Sequence, residues 1–207
     1  MDDAPGQEAA TLALVDLAAA IASGQDHALR AGIAETIAAG APATWVEELI
    51  LQSVLMVGWP RTLAAAAAWR EISGLPAPDG DPGASPAFMG EWEARGEATC
   101  RTVYGSNYAR LRENVRALHP ALDQWMVTEG YGRTLSRPGL DLRRRELCTV
   151  AQCAVQATLP QLHSHLRGAR HAGATPADLR AALGAAERYN AAEFRDAANQ
   201  LLERVLA

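Results

Sequence analysis

Apolar residues recur at helical spacing through the first 73 residues of the chain. A spacing of three or four residues places apolar side chains on one face of an α-helix, which can then pack against a core. Glycine and proline interrupt this pattern at Gly24, at residues 40–42 and at residues 58–60. The pattern therefore predicts four helices, over residues 9–23, 27–39, 44–56 and 60–72.

A segment rich in turn-forming residues separates this first part from the rest of the chain. Residues 74–86 have the sequence GLPAPDGDPGASP and no apolar periodicity, which is typical of a linker. Helical spacing returns afterwards and predicts helices over residues 88–103, 108–116, 121–131, 142–157, 160–172, 176–189 and 192–206. We therefore expect a first helical repeat at 1–73, a linker at 74–86 and a second helical unit at 87–207.

The last part of the chain repeats the first part. Adding 133 to each residue number aligns the breaks and the main apolar positions of the two parts without a gap. Coincident breaks and apolar positions favour duplication over a chance match of alanine-rich helices. At this offset Glu146 and His165 correspond to Ala13 and Gly32, so we expect a polar site in the second unit alone.

Composition supports an all-α fold. Hydrophobic residues make up 49% of the chain and consist largely of Ala and Leu, whereas aromatic residues make up 5%. Ala and Leu favour helices, and strands prefer β-branched and aromatic residues. Lysine is absent, which excludes enzymes that form a Schiff base through lysine and nucleotide-binding proteins with a P-loop lysine.

Charge and the order of residues also limit the partners. The net charge is −5 and the sequence pI is near 5.5, so we expect no binding to nucleic acid or to anionic lipid. The N-terminal residues form no basic, apolar leader, and no uncharged apolar run reaches about 20 residues. We predict a cytoplasmic protein that does not enter a membrane.

The densest group of chemically active residue types lies between residues 143 and 171. Glu146 and Cys153 are seven residues apart and therefore share one helix face. A carboxylate on an otherwise apolar face suits proton transfer if an imidazole such as that of His165 reaches it from the next helix. A structural alternative stays open, in which Glu146 pairs with an arginine and His165 only packs.

Metal and disulfide chemistry are not expected. His163 and His165 are two residues apart on a helix, so their side chains diverge by about 200° and do not readily bind one ion. The chain has an odd number of cysteines, and Cys148 and Cys153 point in different directions on one helix. We therefore predict neither a bound metal nor a disulfide framework.

Four short motifs resemble the carboxymuconolactone decarboxylase family. They are RPGLD at 137–141, REL at 145–147, PQLHSH at 160–165 and AGAT at 172–175. The resemblance covers about residues 91–207, and residues 12–70 resemble the later part of the same family unit. It implies an all-helical fold of the alkyl hydroperoxide reductase D type, which assembles into trimers or hexamers.

The resemblance implies two possible activities. The peroxidase branch of the family uses a glutamate, a Cys-x-x-Cys and a histidine. Glu146 and His165 match the glutamate and the histidine, but Thr158 and Gln161 stand where the two cysteines would be. Because disulfide-cycling peroxidases need a reactive thiol and a resolving partner, a thiol peroxidase is the least favoured function.

The decarboxylase branch needs no cofactor. By resemblance, Glu146 and His165 are the expected catalytic residues, and the substrate is a small lactone or carboxylic acid. The expected substrate-binding residues are Arg137, Arg145, Tyr131, Cys153 and His163. The second unit lacks the family's Tyr-x-Gly-x-Pro segment, so a non-catalytic oligomeric binding or scaffold protein is the alternative.

Overall fold

A computed structural model describes residues 5–207 of the chain, and this part is all-α. The helices are α1 (Pro5–Ser23), α2 (Asp26–Ala38), α3 (Ala43–Ser73), α4 (Met89–Tyr104), α5 (Tyr108–Leu118), α6 (Pro120–Trp125), α7 (Leu142–Val155), α8 (Leu159–His171), α9 (Pro176–Glu187) and α10 (Ala192–Leu206). A π-helical segment, Met126–Leu135, follows α6 directly. Short 3₁₀ turns lie at Pro82–Ala84, Pro86–Phe88 and Gly105–Asn107.

Three predicted helices differ from the observed ones in instructive ways. The helices expected over residues 44–56 and 60–72 form one element, α3, which is kinked at Gly58 with non-helical angles of φ 73° and ψ 173°. Pro60 follows the kink and lacks the N–H that a continuous helix would use. The α-helix expected over residues 121–131 is wrong beyond Trp125, where the backbone becomes π-helical.

The duplication is visible in the backbone. Adding 133 to the bounds of α2 gives those of α8, and the same shift takes the ends of α3 to the start of α9 and the end of α10. Gly40 and Gly173 both have positive φ, 71° and 95°, at the end of these equivalent helices. Gly24 and Ala157 likewise share positive φ angles of 71° and 56°. The two repeats therefore have the same helical frame.

One hydrophobic core joins the two repeats. Its fully buried members come from α1, α2 and α3 and equally from α7, α8 and α9, including Leu14, Ile33, Leu147 and Leu179. Helix α1 packs on α7, its counterpart in the second repeat. At this contact the Arg144 Nε donates a 2.8 Å hydrogen bond to the Thr11 Oγ1, and these two residues are also related by the offset of 133.

Helix α4 covers the second repeat and has an unusually close contact with the π-helical segment. A Cβ atom on Gly96 would lie 2.0 Å from the Val127 carbonyl oxygen, and one on Gly132 would lie 2.0 Å from the Trp92 carbonyl oxygen. Only glycine allows two backbones to approach this closely. The contact holds the π-helical segment against α4, which itself packs on α8.

Helix α3 is the one element in the described residues that is long and apolar enough to cross a membrane by length and composition. This is weak support for a membrane span, because core helices of soluble proteins pass the same test. The kink at Gly58 divides α3 into two shorter parts, and its inner face packs against α1, α2 and α7.

Candidate functional site

Glu146 and His165 meet at the contact between α7 and α8. The Asp141 side chain caps α7 by accepting a hydrogen bond from the Arg144 N–H, which sets the start of the helix that carries Glu146. The Glu146 Oε2 lies 2.9 Å from the His165 Nδ1. Glu146 is fully buried and His165 is 7% exposed. The two residues predicted to act together are therefore in hydrogen-bond contact in a nearly dry environment.

Gly168 makes room for the Glu146 carboxylate. A Cβ atom at Gly168 would lie 2.6 Å from the Glu146 Oε2 and 2.6 Å from the Val103 Cγ1 of α4. Any side chain at residue 168 would therefore push the carboxylate or α4 away. Gly168 was not among the predicted site residues, although its position three residues after His165 on α8 was an available signal.

Two tyrosines lie near the pair on the side of α4 and the π-helical segment. The rings of Tyr104 and Tyr131 form an edge-to-face contact with centroids 6.0 Å apart. Burial raises the pKa of both phenols, and the negative charge of Glu146 adds to this effect. Tyr131, which the sequence predicted to bind a substrate, is 4% exposed and therefore offers little surface to one.

The three cysteines are buried, free and unreactive in character. Burial raises the pKa of Cys100, Cys148 and Cys153 to about 12 each. The Cys153 Sγ lies 3.8 Å from the Met56 Sδ, within the hydrophobic core. Because a substrate cannot reach Cys153 at 2% exposure, the substrate-binding role predicted for it does not fit the structure.

Arg145 belongs to a buried network and not to a substrate site. Its Nη2 donates to the Glu48 Oε2 at 2.8 Å and its Nη1 donates to the Gln52 Oε1 at 3.1 Å, which ties α7 to α3. Burial lowers the pKa of the Arg145 guanidinium, and the hydrogen bond to Glu48 counteracts this effect. The side chain is 0% exposed, so we correct the predicted role of Arg145 in binding a substrate carboxylate.

Arg137 shares the same acidic partner but lies nearer the surface. Its Nε and Nη2 donate to the Glu48 carboxylate at 2.9 to 3.2 Å. Its Nη2 also lies 2.7 Å from the Asp81 Oδ2 of the linker. Neither carboxylate belongs to the pair of Glu146 and His165, so the hydrogen bonds of Arg137 place it in a separate part of the molecule.

His163 lies on the opposite side of α8 from His165. It is exposed and lines an open basic groove together with Arg167, Arg170, His171 and Arg204. The expected divergence of residues two apart on a helix accounts for this placement. His163 therefore does not share an environment with His165, and the substrate-binding role predicted for it does not fit the site at Glu146.

The geometry of the pair determines what it can do chemically. Because Nδ1 of His165 is held by the carboxylate, Nε2 is the ring nitrogen that a substrate could meet. The Glu146 Oε1 is buried and has no hydrogen-bond partner among residues 5–207. A buried acceptor without a partner is rare in folded proteins and often has a functional reason.

A comparison with protein families matches both repeats of the chain. The model described as the carboxymuconolactone decarboxylase family matches residues 3–71 and 120–203, which together are more than half of the chain. The two matched segments fall in the first and second repeats, as expected for a duplicated unit. No curated protein sequence matches the chain.

Proposed function

The chain belongs to the carboxymuconolactone decarboxylase family, and from this premise we propose that its second repeat is a cofactor-free acid–base centre. Its reaction is decarboxylation, or a related proton transfer, on a small lactone or carboxylic acid. The single observation that supports this proposal most is the 2.9 Å contact between the His165 Nδ1 and the buried Glu146 Oε2.

His165 is the catalytic residue in this proposal. When a carboxylate on the substrate leaves as carbon dioxide, the electron pair of the broken C–C bond spreads into the lactone as a dienolate. The imidazolium of His165 stabilises this anion and then donates a proton from Nε2 to carbon. A proton from solvent then restores the imidazolium.

Glu146 is a positioning residue in the same proposal. A carboxylate that accepts a hydrogen bond from Nδ1 holds the ring in one orientation and leaves Nε2 as the nitrogen that can meet a substrate. Glu146 is fully buried, whereas His165 is 7% exposed, so a substrate would meet the imidazole edge and not the carboxylate.

A non-catalytic binding or scaffold protein is the second candidate. The observation that favours it is the close packing around Glu146, whose side chain is fully buried and lies against Gly168 with no room for a further atom. A substrate of the proposed reaction must therefore bind outside the pair and use only His165. Self-association into trimers or hexamers fits either candidate, and light scattering of the purified protein measures it.

The two candidates are separated by a conservative change at His165. His165→Asn retains an amide N–H near Nδ1 that can bond to Glu146, but it removes the nitrogen proposed to meet the substrate. His163→Asn is the matched control, because His163 is exposed on the other side of the same helix.

The experiment begins with a screen of small lactones and dicarboxylates for thermal stabilisation and for release of carbon dioxide. Binding to the native state alone raises the melting temperature. We expect turnover that His165→Asn lowers by about 10² to 10⁴-fold, while His163→Asn leaves it unchanged. Turnover that survives in His165→Asn contradicts the proposal, and binding without turnover in the wild type supports the scaffold.

A further inference from the structure

An open cleft lies between α3, the linker and the π-helical segment, away from the residues of the pair. Its volume is about 140 Å³. Its apolar wall is formed by the exposed Leu51 and Trp59, with Val54 between them. An apolar cavity of about 150 Å³ holds a molecule the size of benzene. The cleft therefore has room for one six-membered ring.

The polar side of the cleft consists of two arginines. Arg133 and Arg137 line it, together with Asp81 from the linker. Arg137 is already paired with Glu48, which is buried at its back. The Asp81 Oδ2 makes the second contact, 2.7 Å from the Arg137 Nη2. A carboxylate from the linker thus sits on the guanidinium that faces the cleft.

Asp81 is held in a compact turn. Its Oδ1 accepts a 2.9 Å hydrogen bond from the Gly83 N–H, and its carbonyl accepts one from the Ala84 N–H at 3.1 Å. The Trp92 Nε1 donates to the Gly83 carbonyl at 3.2 Å and ties the turn to α4. The side chain of Asp81 is nevertheless 39% exposed, so it can leave Arg137 without moving the core.

We propose that this cleft binds a small organic acid with a six-membered apolar ring, whose carboxylate replaces that of Asp81 on Arg137. The site is separate from the proposed acid–base centre, because none of its lining residues belongs to α7 or α8. The linker then competes with the ligand for Arg137. The Asp81 carboxylate stays on Arg137 until a ligand carboxylate takes its place.

Charge favours a monocarboxylate over a more highly charged anion. Arg137 is balanced by Glu48 and Asp81, and Arg133 is paired with Glu129 at 2.7 Å. Release of Asp81 into solvent removes one negative charge from the cleft, and one ligand carboxylate restores it. A phosphate dianion would bring additional negative charge next to Glu48 and Glu129.

The ring is expected to lie against Trp59. This side chain is 64% exposed and follows the kink of α3 at Gly58, which turns it toward the cleft wall. Stacking on an exposed indole stabilises an aromatic ring, whereas the adjacent Leu51 and Val54 provide apolar contact without directionality. An aromatic acid is therefore the best probe of the cleft.

The test compares the binding of benzoate to the wild type and to single-residue variants by titration calorimetry and by NMR. Asp81→Asn retains the side-chain oxygen that accepts from the Gly83 N–H but loses the charge that competes for Arg137. Asp79→Asn is the matched control: it removes the same charge from the same exposed linker, two residues away. Benzyl alcohol is the uncharged probe of the same ring size.

We expect Asp81→Asn to bind benzoate about two- to fivefold more tightly than the wild type, the range in which a partly exposed ion pair competes. Asp79→Asn should match the wild type, and the affinity for benzyl alcohol should not change in either variant. Trp59→Ala should weaken both probes. Equal benzoate affinity in Asp81→Asn and Asp79→Asn overturns the proposal, and so does an equal gain for benzyl alcohol.

A fourth variant separates this inference from the proposed function. His165→Asn should bind benzoate with the affinity of the wild type, because the cleft does not include His165. Loss of benzoate binding in this variant would place the ligand at the acid–base centre and would overturn the separate site. If His165→Asn still binds benzoate, the experiment on turnover and the experiment on the cleft report on different sites.

Discussion

The two repeats have the same helical frame, but polar side chains of the second repeat correspond to small, non-ionisable residues of the first. In the second repeat Glu146 and His165 are hydrogen-bonded and buried, whereas the first repeat has Ala13 and Gly32 at these positions. Gly168 likewise corresponds to Glu35, which is exposed. The face of α8 that carries His165 is covered by α4, while the equivalent face of α2 is open to solvent at Glu35. A buried polar pair therefore depends on the covering wall and not on the repeat itself.

The comparison also shows which polar residues stabilise the fold. Arg145 lies next to Glu146 in the sequence and is as deeply buried, yet it contacts α3 and not α8. Its counterpart in the first repeat is the exposed Leu12. The second repeat thus holds two adjacent buried charges with different roles, one in the fold and one in the candidate site.

The largest effect on stability is expected at Arg145. Arg145→Met leaves Glu48 with less compensation for its buried charge, so the free energy of unfolding should fall by about 3 to 5 kcal/mol. Arg167→Met, on the exposed side of α8, should change it by no more than about 0.5 kcal/mol. Urea denaturation measures both. A similar loss in the two variants would show that Arg145 does not hold α7 to α3.

The next largest effect is expected at Gly168. Gly168→Ala places a methyl group against the Glu146 carboxylate and Val103, which should lower the free energy of unfolding by about 1 to 3 kcal/mol. Gly184→Ala is the control: this glycine is also helical, and a Cβ atom there meets nothing within 4 Å. Alanine at residue 184 should raise the free energy of unfolding by about 0.5 to 1 kcal/mol. Changes of the same sign would contradict the packing described at Gly168.

The sequence predicted the helices, the duplication and the meeting of Glu146 with His165, because each follows from local spacing or from a family motif. It did not predict the partners of Arg145, since Glu48 lies 97 residues earlier in the chain. The π-helical segment was missed for a related reason. Its close contact with α4 depends on Gly96 and Gly132, and local apolar periodicity carries no information about which helices cross.

A smaller effect is expected at Ala13, where a substitution tests whether the first repeat can accept the glutamate of the second repeat. Ala13 is partly exposed on α1, so Ala13→Glu can direct its carboxylate to solvent. We expect the free energy of unfolding to change by no more than about 1 kcal/mol, and we expect no turnover above that of His165→Asn alone when the two changes are combined. Thermal denaturation and the release of carbon dioxide measure the two parts. Turnover in the double variant that exceeds that of His165→Asn alone would show that a glutamate makes the first repeat active.

The smallest effect is expected at the cysteines, all of which follow residue 99 and none of which lies in the first repeat. Thiolate is the reactive form of cysteine, and a thiol with a pKa of about 12 contains very little of it at pH 8. Raising the pH increases the thiolate fraction, so any reaction in the folded state should accelerate only toward pH 12. Native protein mixed with an aromatic disulfide reagent at pH 8 should release almost no thiolate product, whereas unfolding in urea should expose three reactive thiols. A thiol that reacts fast at pH 8 in the folded protein, and is lost in Cys153→Ser, would contradict the burial of Cys153. It would also restore a thiol peroxidase as a candidate function, because a thiol peroxidase needs a cysteine that is ionised and accessible in the folded protein.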